Sequence, residues 1–344
     1  MIGQLIKTVS GFPSRSLRIL LPALLLLGLG MVLSLHLGVR QNSPAEVWAA
    51  LFGGGDDTAS LVIATLRVPR TLIAPVVGAG LGLAGLLLQS VSRNPLASPD
   101  LLGINAGAAL AVVIAVAIFD VAGLLPLALI AALGALGTTA LVFALALAAG
   151  GAMSSVNTLL AGVTLAGFFA AGTQIVLVVD ETAMETLIFW LSGGFVDRSL
   201  SLLWLAAPVV GFAFLVGLLN ARALDVLAAD DQSAAALGVP VGALRALMLG
   251  LAALLAAAAV TTAGPVSFVG LVAPHIARRL AGAGHAVLVP LSALIGAALA
   301  IYADIAARFV IHPSEAPVGA VLAFVGVPVL VILLQAGTLR HVRA

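Results

Sequence analysis

Charged residues are scarce in this sequence. Only 8% of its 344 residues are Asp, Glu, Lys or Arg, whereas 62% are hydrophobic. Soluble domains carry about 25% charged residues, and a soluble fold of this composition would expose large apolar patches and aggregate. The net charge of +1 also provides no basic surface for nucleic acid. The composition therefore predicts an integral membrane protein in contact with lipid.

Cysteine is absent and lysine nearly so, and each absence excludes a class of site. Without cysteine there is no disulfide framework and no thiolate metal site. Lys7 is the only lysine, so the chain cannot build the phosphate-binding loop G-x-x-x-x-G-K-[ST]. The five histidines are scattered: His36, His275, His285, His312 and His341. We therefore expect no catalytic residue, no metal and no bound cofactor in this chain.

Long apolar runs make up most of the sequence. The uncharged run from Val121 to Val179 far exceeds the roughly 20 residues that one membrane helix needs, so it contains at least two spans. The runs lack the alternation of barrel strands, which leaves helices as the spanning structure. Run lengths and breaker residues predict ten spans at about 17–38, 68–91, 101–118, 124–148, 157–178, 200–219, 242–262, 267–281, 287–308 and 317–337.

Basic residues flank both ends of the chain. They are Lys7, Arg15 and Arg18 before the first span and Arg340 and Arg343 after the last. Cytoplasmic segments are enriched in Lys and Arg, so both termini are predicted to be cytoplasmic. We take the first apolar run as a retained helix, because no Ala-x-Ala cleavage site follows it. The predicted fold is an all-α membrane protein with one transmembrane domain over residues 1–344.

One glycine motif and one polar segment stand out. Gly80, Gly82 and Gly85 match the dinucleotide-binding fingerprint, but they lie inside an apolar span, so we interpret them as helix-packing residues. The polar segment 220–241 predicts a helix over 225–238 that ends at Gly238. Its exposed carboxylates would be Asp225, Asp230 and Asp231. The residues alone leave open whether this segment is a loop or a docking element for a soluble subunit.

Several stretches resemble the FecCD family of bacterial import permeases. They are RVPRTL (67–72), QSVSRNPLASPDLLG (89–103), NAGAA (105–109), WLSGG (190–194), LGVPV (237–241), GPVSFVGLVAPHIARRL (264–280), AD (303–304) and PVG (317–319). Together they cover residues about 60–335, and NPLASPDLLGINAGAAL looks particularly like the ferric-citrate and catecholate-siderophore branch. Relatives often carry Asp-His-Arg where this chain has Gly284-His285-Ala286, so we assign His285 no role.

The resemblance implies the type II architecture of an ATP-driven importer. It implies a second permease subunit (a copy or a related chain), two ATPase subunits that bind ATP and magnesium, and a soluble substrate-binding protein. The implied substrate is a ferric siderophore crossing a bacterial inner membrane, with haem and cobalamin as alternatives. An ion-coupled secondary transporter or a channel is the alternative of another class. The lack of ionisable residues at predicted span centres counts against it.

The resemblance also implies three functional regions. Contact with the ATPase falls on Asp225, Asp230, Asp231, Leu237 and Gly238. A cytoplasmic gate falls on Asn94, Pro95 and Leu96 together with Ser154 and Ser155. Docking of the binding protein falls on Arg67, Arg70 and Arg308, because arginine binds carboxylates in two places at once.

Simpler interpretations exist for the gate and docking residues. Asn and Ser side chains satisfy the amides at helix ends, and this could be their whole role in the gate loops. Arg308 could pair with Asp304, four residues earlier on the same helix. Arg67 and Arg70 could extend toward lipid headgroups.

Overall fold

The computed structural model describes residues 14–38, 40–53, 57–149, 155–180, 184, 187–188, 190–196, 198–282, 284–311 and 314–341. Within these ranges the chain is helical and has no β-strand, which confirms the predicted all-α class. The α-helices are α1 (Ser14–His36), α2 (Pro44–Trp48), α3 (Thr58–Val62), α4 (Val68–Ser92), α5 (Ile104–Phe119), α6 (Leu124–Ala148), α7 (Ser155–Val179), α8 (Leu203–Leu219), α9 (Ala221–Ala229), α10 (Asp231–Ala236), α11 (Val241–Ala263), α12 (Val269–Ala281), α13 (His285–Val310) and α14 (Val318–His341). Other helical turns are Ala49–Gly53, Ile63–Arg67, Pro99–Leu102 and Leu200–Leu202.

Seven helical stretches in the described part of the chain are long and apolar enough to cross a membrane. They are Ser16–His36, Thr58–Ser92, Leu124–Ala148, Asn157–Val179, Leu200–Leu219, Val241–Ala263 and His285–Val310. The other three predicted spans coincide with α5, α12 and α14. Helices α5 and α12 have 16 and 13 residues, fewer than the roughly 20 that a bilayer core requires. The chain is therefore a multi-pass membrane protein.

Helix α4 lies at the centre of the bundle. It packs against α8, α11, α12 and α13. In the stretch Thr58–Ser92, which contains α4, 78% of the 18 most apolar consecutive residues are buried. The corresponding share is 11% in Ser16–His36 of α1 and in Asn157–Val179 of α7. The apolar surfaces of α1 and α7 are thus free to contact lipid or another subunit.

Glycines allow two helices to approach the backbone of α4. A Cβ atom on Gly82 would lie 2.4 Å from the carbonyl oxygen of Ser292 in α13, and one on Gly85 would lie 1.6 Å from that of Gly270 in α12. No side-chain atom fits at such distances, so these positions require glycine. The interpretation of the fingerprint-like glycines as packing residues is confirmed for Gly82 and Gly85.

The two ends of α4 meet different parts of the chain. At its start Arg70 contacts Asp304 near the end of α13. At its end Ser90 contacts His285 at the start of α13, and Arg93 contacts α10. A helix of 25 residues spans about 37 Å. The predicted docking arginines and the predicted ATPase contact therefore lie at opposite ends of the bundle.

Candidate functional site

The segment 220–241, called the coupling segment below, folds as two short helices rather than one. Asp230 separates α9 from α10 and has an extended backbone, with φ −164° and ψ 161°. Its carboxylate accepts a hydrogen bond from the Ser233 amide at 2.6 Å, and hydrogen bonding from Ser233 lowers the pKa of Asp230. The prediction of a continuous helix over 225–238 is wrong, because Asp230 acts as the N-cap of a new helix.

Gly238 ends α10 in a left-handed conformation, with φ +80°. The amide of Gly238 donates to the carbonyl of Ala235, and the amide of Val239 donates to that of Ala234, both at 2.9 Å. This is the Schellman pattern of helix termination, and it confirms the predicted helix stop. Leu237, just before this turn, is 71% exposed and places an apolar side chain at the surface of a polar segment.

Two carboxylates of the coupling segment bind residues elsewhere in the same chain. Asp231 accepts from Arg93 at 2.6 Å and from Arg245 at 3.0 Å. Asp225 accepts from the ring and the backbone amide of His285, at 2.6 and 2.8 Å. The Asp225 and Asp231 side chains remain 40% and 43% exposed, so the predicted exposure is only partial. These contacts hold the segment against the bundle.

The predicted gate loop, Asn94–Ala97, forms a tight turn directly after α4. The Asn94 side chain accepts from the Leu96 amide at 2.9 Å, and the Ala97 amide donates to the Asn94 carbonyl at 3.1 Å. Pro95 and Leu96 are exposed. Asn94 therefore satisfies amides of its own loop, and a gate role for the loop stays a prediction.

A small cavity separates the gate loop from α7. It is lined by Ser98, which follows the loop, and by Thr158 of α7. Of the second predicted gate pair, Ser154 lies outside the described residues and Ser155 is the first residue of α7. The fold therefore brings the start of α7 close to the gate loop, at the same end of the bundle as the coupling segment.

At the opposite end, five charged residues form an arginine cluster. Its members are Arg67, Arg70, Asp304, Arg308 and Glu315. The Nε and Nη2 atoms of Arg70 donate to one oxygen of Asp304, at 3.2 and 2.6 Å. Its Nη1 atom donates to Glu315 at 2.6 Å. Arg70 is 5% exposed and Asp304 is 0% exposed, so α4 and α13 are joined by a buried ion pair.

The other two arginines of the cluster bind the end of α1. Arg308 donates to the carbonyl oxygens of Ser34 and Leu37, both at 2.7 Å, and it pairs with Asp304. Arg67 donates to the Leu37 carbonyl at 2.9 Å. Arg308 is 0% exposed and Arg67 is 6% exposed, so both guanidinium groups lie inside the protein.

The structure corrects the geometry of the predicted docking site. Direct contact with a partner would require exposed guanidinium groups, and Arg67, Arg70 and Arg308 are all buried. The simpler interpretation of Arg308, an internal pair with Asp304, is confirmed. Arg67 and Arg70 bind protein oxygens rather than reaching toward headgroups. The physical reason is that carboxylates and carbonyl oxygens of α1, of α13 and of the segments that follow them accept most of these donors within the chain.

No metal centre is evident in the part of the chain that the structure describes. There, His, Asp and Glu side chains form no group of three that could hold a metal ion. The chemistry of the described sites is limited to ion pairs, hydrogen bonds and helix packing. Such groups can bind partners and transmit movement.

Comparison with known proteins identifies the family. The profile of the FecCD transport family matches residues 25–336. The chain belongs to the FecCD transport family. The Fe(3+) dicitrate transport permease FecC of Escherichia coli (strain K12) is 40% identical over 85% of this chain and 89% of its own length. The ferric enterobactin transport permease FepD of the same strain is 38% identical over 92% and 94%. The iron(3+)-hydroxamate import permease FhuG of Bacillus subtilis (strain 168) is 37% identical over 88% and 92%.

Solved structures show the same fold as this FecCD chain. A metal-chelate-type ABC transporter in an inward-facing conformation matches with a TM-score of 0.81 and 31% identity, over 93% of this chain and 99% of that one. PsaBC from Streptococcus pneumoniae, solved with a Fab, matches with a TM-score of 0.55 and 16% identity, over 77% and 89%, which shows likeness of fold alone. The resemblance inferred from the motifs is confirmed.

Two residues of the FecCD chain that sequence reasoning missed are His285 and Ser90. We assigned His285 no role, yet its ring lies between Ser90 and Asp225, which are 195 and 60 residues away in sequence. The contact from Arg93 to Asp231 spans 138 residues and was missed as well. No local pattern marks such partners, because only the packing of the helices brings them together.

Proposed function

We propose that this chain is the permease subunit of a bacterial ATP-driven importer that moves a ferric siderophore across the inner membrane. The observation that carries the proposal is the match of nearly the whole chain to permeases named for ferric dicitrate, ferric enterobactin and iron(3+)-hydroxamate. The likeness to a metal-chelate-type transporter supports it. Haem and cobalamin are the alternative substrates.

The proposed topology has ten spans and two cytoplasmic termini. Helices α5, α12 and α14 complete the count beyond the seven longer spans. Short helices can serve within a bundle, because neighbouring protein covers the backbone groups at their ends. Basic residues near both termini support the orientation. This topology places the coupling segment and the gate loop in the cytoplasm and the arginine cluster outside.

ATP hydrolysis is assigned to two partner ATPase subunits, which bind ATP and magnesium, while this chain binds no cofactor. The lack of a phosphate-binding loop supports this assignment. The coupling segment is the proposed contact, with exposed Leu237 facing the ATPase and Asp225 and Asp231 holding the segment in place. A second permease subunit, either a copy or a related chain, completes the pathway, and the exposed apolar surface of α7 is suited to that contact.

The arginine cluster is the proposed docking region for the soluble binding protein. Its three arginines and two carboxylates leave an excess of one positive charge, which favours an acidic partner surface. Since the guanidinium groups are buried, the cluster would act through its electric field and by holding the outer ends of α1, α4 and α13 in place. This differs from the direct contacts that exposed arginines would make.

The gate loop and the start of α7 form the proposed cytoplasmic gate. Exposed Pro95 and Leu96, together with Ser154 and Ser155, would close the pathway toward the cytoplasm. The cavity between the gate loop and α7 supports this pairing, because Ala97 of the loop and Thr158 of α7 both line it.

Reconstitution tests the function directly. The permease, the ATPase and the binding protein encoded with it are placed in proteoliposomes with radiolabelled iron chelate. We expect uptake that requires ATP and the loaded binding protein, and the ligand retained by the purified binding protein identifies the chelate. Uptake that follows an ion gradient without ATP would instead support a secondary transporter. Vesicles with the permease alone serve as the control.

Replacing Gly238 with valine is expected to uncouple the permease from its ATPase. A left-handed conformation costs a residue with a Cβ atom about 1–2 kcal/mol, and more when the side chain is β-branched. A Cβ at this position meets nothing within 4 Å, so the effect would come from the backbone turn and not from a clash. We expect ATP hydrolysis stimulated by the loaded binding protein to fall about tenfold.

Gly238→Asn is the matched control for this prediction. Asparagine adopts the left-handed conformation more readily than other residues that carry a Cβ. It should therefore keep most of the stimulated activity. If the loaded binding protein stimulated ATP hydrolysis in the valine variant as much as in the wild type, the turn would have no part in coupling.

A further inference from the structure

The ring of His285 joins three helices at the end of the bundle that carries the coupling segment. His285 is the first residue of α13 and is 3% exposed. Its Nδ1 atom lies 2.6 Å from the carboxylate of Asp225 in α9, and its backbone amide donates to the same oxygen at 2.8 Å. Its Nε2 atom lies 2.7 Å from the hydroxyl oxygen of Ser90 in α4. One side chain thus connects α9, α13 and α4.

The Asp225–His285–Ser90 chain has the order of a hydrolase triad, but its geometry does not suit a nucleophile. Ser90 is 4% exposed, and its hydroxyl donates to the carbonyl of Leu86 at 2.7 Å. The Ser90 oxygen thus lies between the Leu86 carbonyl and the Nε2 atom of His285. The chain is a charge-assisted clamp, because the carboxylate of Asp225 forms one end of it.

A second contact ties the coupling segment to the same end of α4. Arg93 follows the last residue of α4 and donates to Asp231 at 2.6 Å. The two side chains are 37% and 43% exposed, and exposed ion pairs contribute little to stability. The clamp, in which His285 and Ser90 are buried, is therefore the stiffer of the two connections.

The gate loop follows directly from this end of α4. Ser90 lies in the last turn of the helix, and Asn94, the first residue of the gate loop, comes four residues after it. A rigid helix moves as a body. A displacement of α9 that is passed to Ser90 must therefore also displace the gate loop.

We propose that His285 is a positioning residue that passes motion of the coupling segment to the gate loop. This rests on the proposed function of the coupling segment as the contact with the ATPase. Movement of α9 pulls on the His285 ring through Asp225, and the ring carries the last turn of α4 with it through Ser90. His285 touches neither substrate nor nucleotide in this arrangement.

The test uses the full complex of permease, ATPase and binding protein in proteoliposomes. His285→Phe keeps a planar aromatic ring, slightly larger than the imidazole, and removes both ring nitrogens. We expect basal ATP hydrolysis to persist and uptake per ATP hydrolysed to fall about tenfold, the scale of a lost charge-assisted hydrogen bond. This ratio refers only to complexes that hydrolyse ATP, so a loss of folded protein does not change it.

Two further variants make the outcome decisive. Ser90→Ala removes a single oxygen from the clamp, so this variant should assemble even where the phenylalanine variant does not. Its uptake per ATP hydrolysed should fall by a smaller factor than in His285→Phe. His36→Phe is the matched control, because the only hydrogen bond of the His36 ring in the described structure is to the Val32 carbonyl of its own helix. It should keep the wild-type ratio.

The results separate two kinds of failure. If Ser90→Ala and every assembled His285→Phe complex keep the wild-type ratio, the proposal for His285 is overturned. A wild-type complex without ATP-dependent uptake would overturn the proposed function instead.

Discussion

Gly85→Ala is expected to prevent stable folding of this permease. The new Cβ atom would lie 1.6 Å from the carbonyl oxygen of Gly270, which belongs to the backbone of α12. A backbone atom cannot rotate aside as the end of a flexible side chain can, so α4 and α12 would have to separate. Overpacking typically costs about 1–3 kcal/mol, and we expect this clash to exceed the upper value. The measurements are the yield of monodisperse protein after detergent extraction and the thermal unfolding midpoint.

Gly137→Ala provides the matched control. Gly137 lies in α6, and a Cβ atom there would meet nothing within 4 Å. Alanine also favours helical backbone relative to glycine. This variant should match the wild type in yield and midpoint. Wild-type behaviour of Gly85→Ala would contradict the close approach of α4 and α12.

Asp304→Asn is expected to cause the next largest loss of stability. Asparagine keeps the size of the side chain but removes the charge that Arg70 and Arg308 share. Two buried guanidinium groups would then be left with Glu315 as their remaining carboxylate partner within the cluster. Breaking a buried ion pair by removing one partner costs about 3–5 kcal/mol. The thermal unfolding midpoint of the purified permease should fall accordingly.

An exposed ion pair, Arg40 with Glu46, provides the control for the Asp304→Asn prediction. Glu46 lies 3.1 Å from Arg40, and their side chains are 32% and 56% exposed. Glu46→Gln should leave the midpoint unchanged, because exposed pairs contribute little and glutamine can keep the capping box with Ser43. If Asp304→Asn and Glu46→Gln gave the same midpoint, the stabilising role of the buried cluster would be wrong.

Replacing the buried charges together separates the charge effect from packing. The triple variant Arg70→Met, Asp304→Leu and Arg308→Met leaves no uncompensated guanidinium group among these positions. Apolar replacements of a buried ionic group are often neutral or stabilising. The triple variant should therefore unfold at a higher temperature than Asp304→Asn.

Sequence patterns within about twenty residues were sufficient to predict the helices and the position of one helix end. Each predicted span coincides with a helix, because a long apolar run must bury its backbone polar groups in a helix when it lies in lipid. Gly238 was correctly predicted to end its helix, because a left-handed residue is a local backbone requirement. The single helix over 225–238 was wrong, because Asp230 offers its own cap and outweighs the helical spacing around it.

The candidate functional regions were chosen from motifs, and the motifs did not predict the contacts of these regions. The motif around Asn94 and the segment 220–241 were recognised separately, and the fold joins them through Arg93 and Asp231. The burial of Arg70 and Arg308 was not predicted, because their partners come from other helices or from a neighbouring turn. The local pattern around Gly284–Ala286 gave His285 no role, although the structure places it between two helices.

The sequence by itself determined that this protein crosses the membrane many times as helices, that residues 1–344 contain no G-x-x-x-x-G-K-[ST] motif, and which family it resembles. These properties depend on composition, on short runs and on motifs, each of which is local to the chain. The tertiary structure alone decided which charges are paired and which are exposed. Arg70 and Asp304 are separated by 234 residues, and they meet only because glycines allow α13 to lie against α4. Ion pairing depends on distances of a few ångströms, and in a folded chain those distances follow from helix packing.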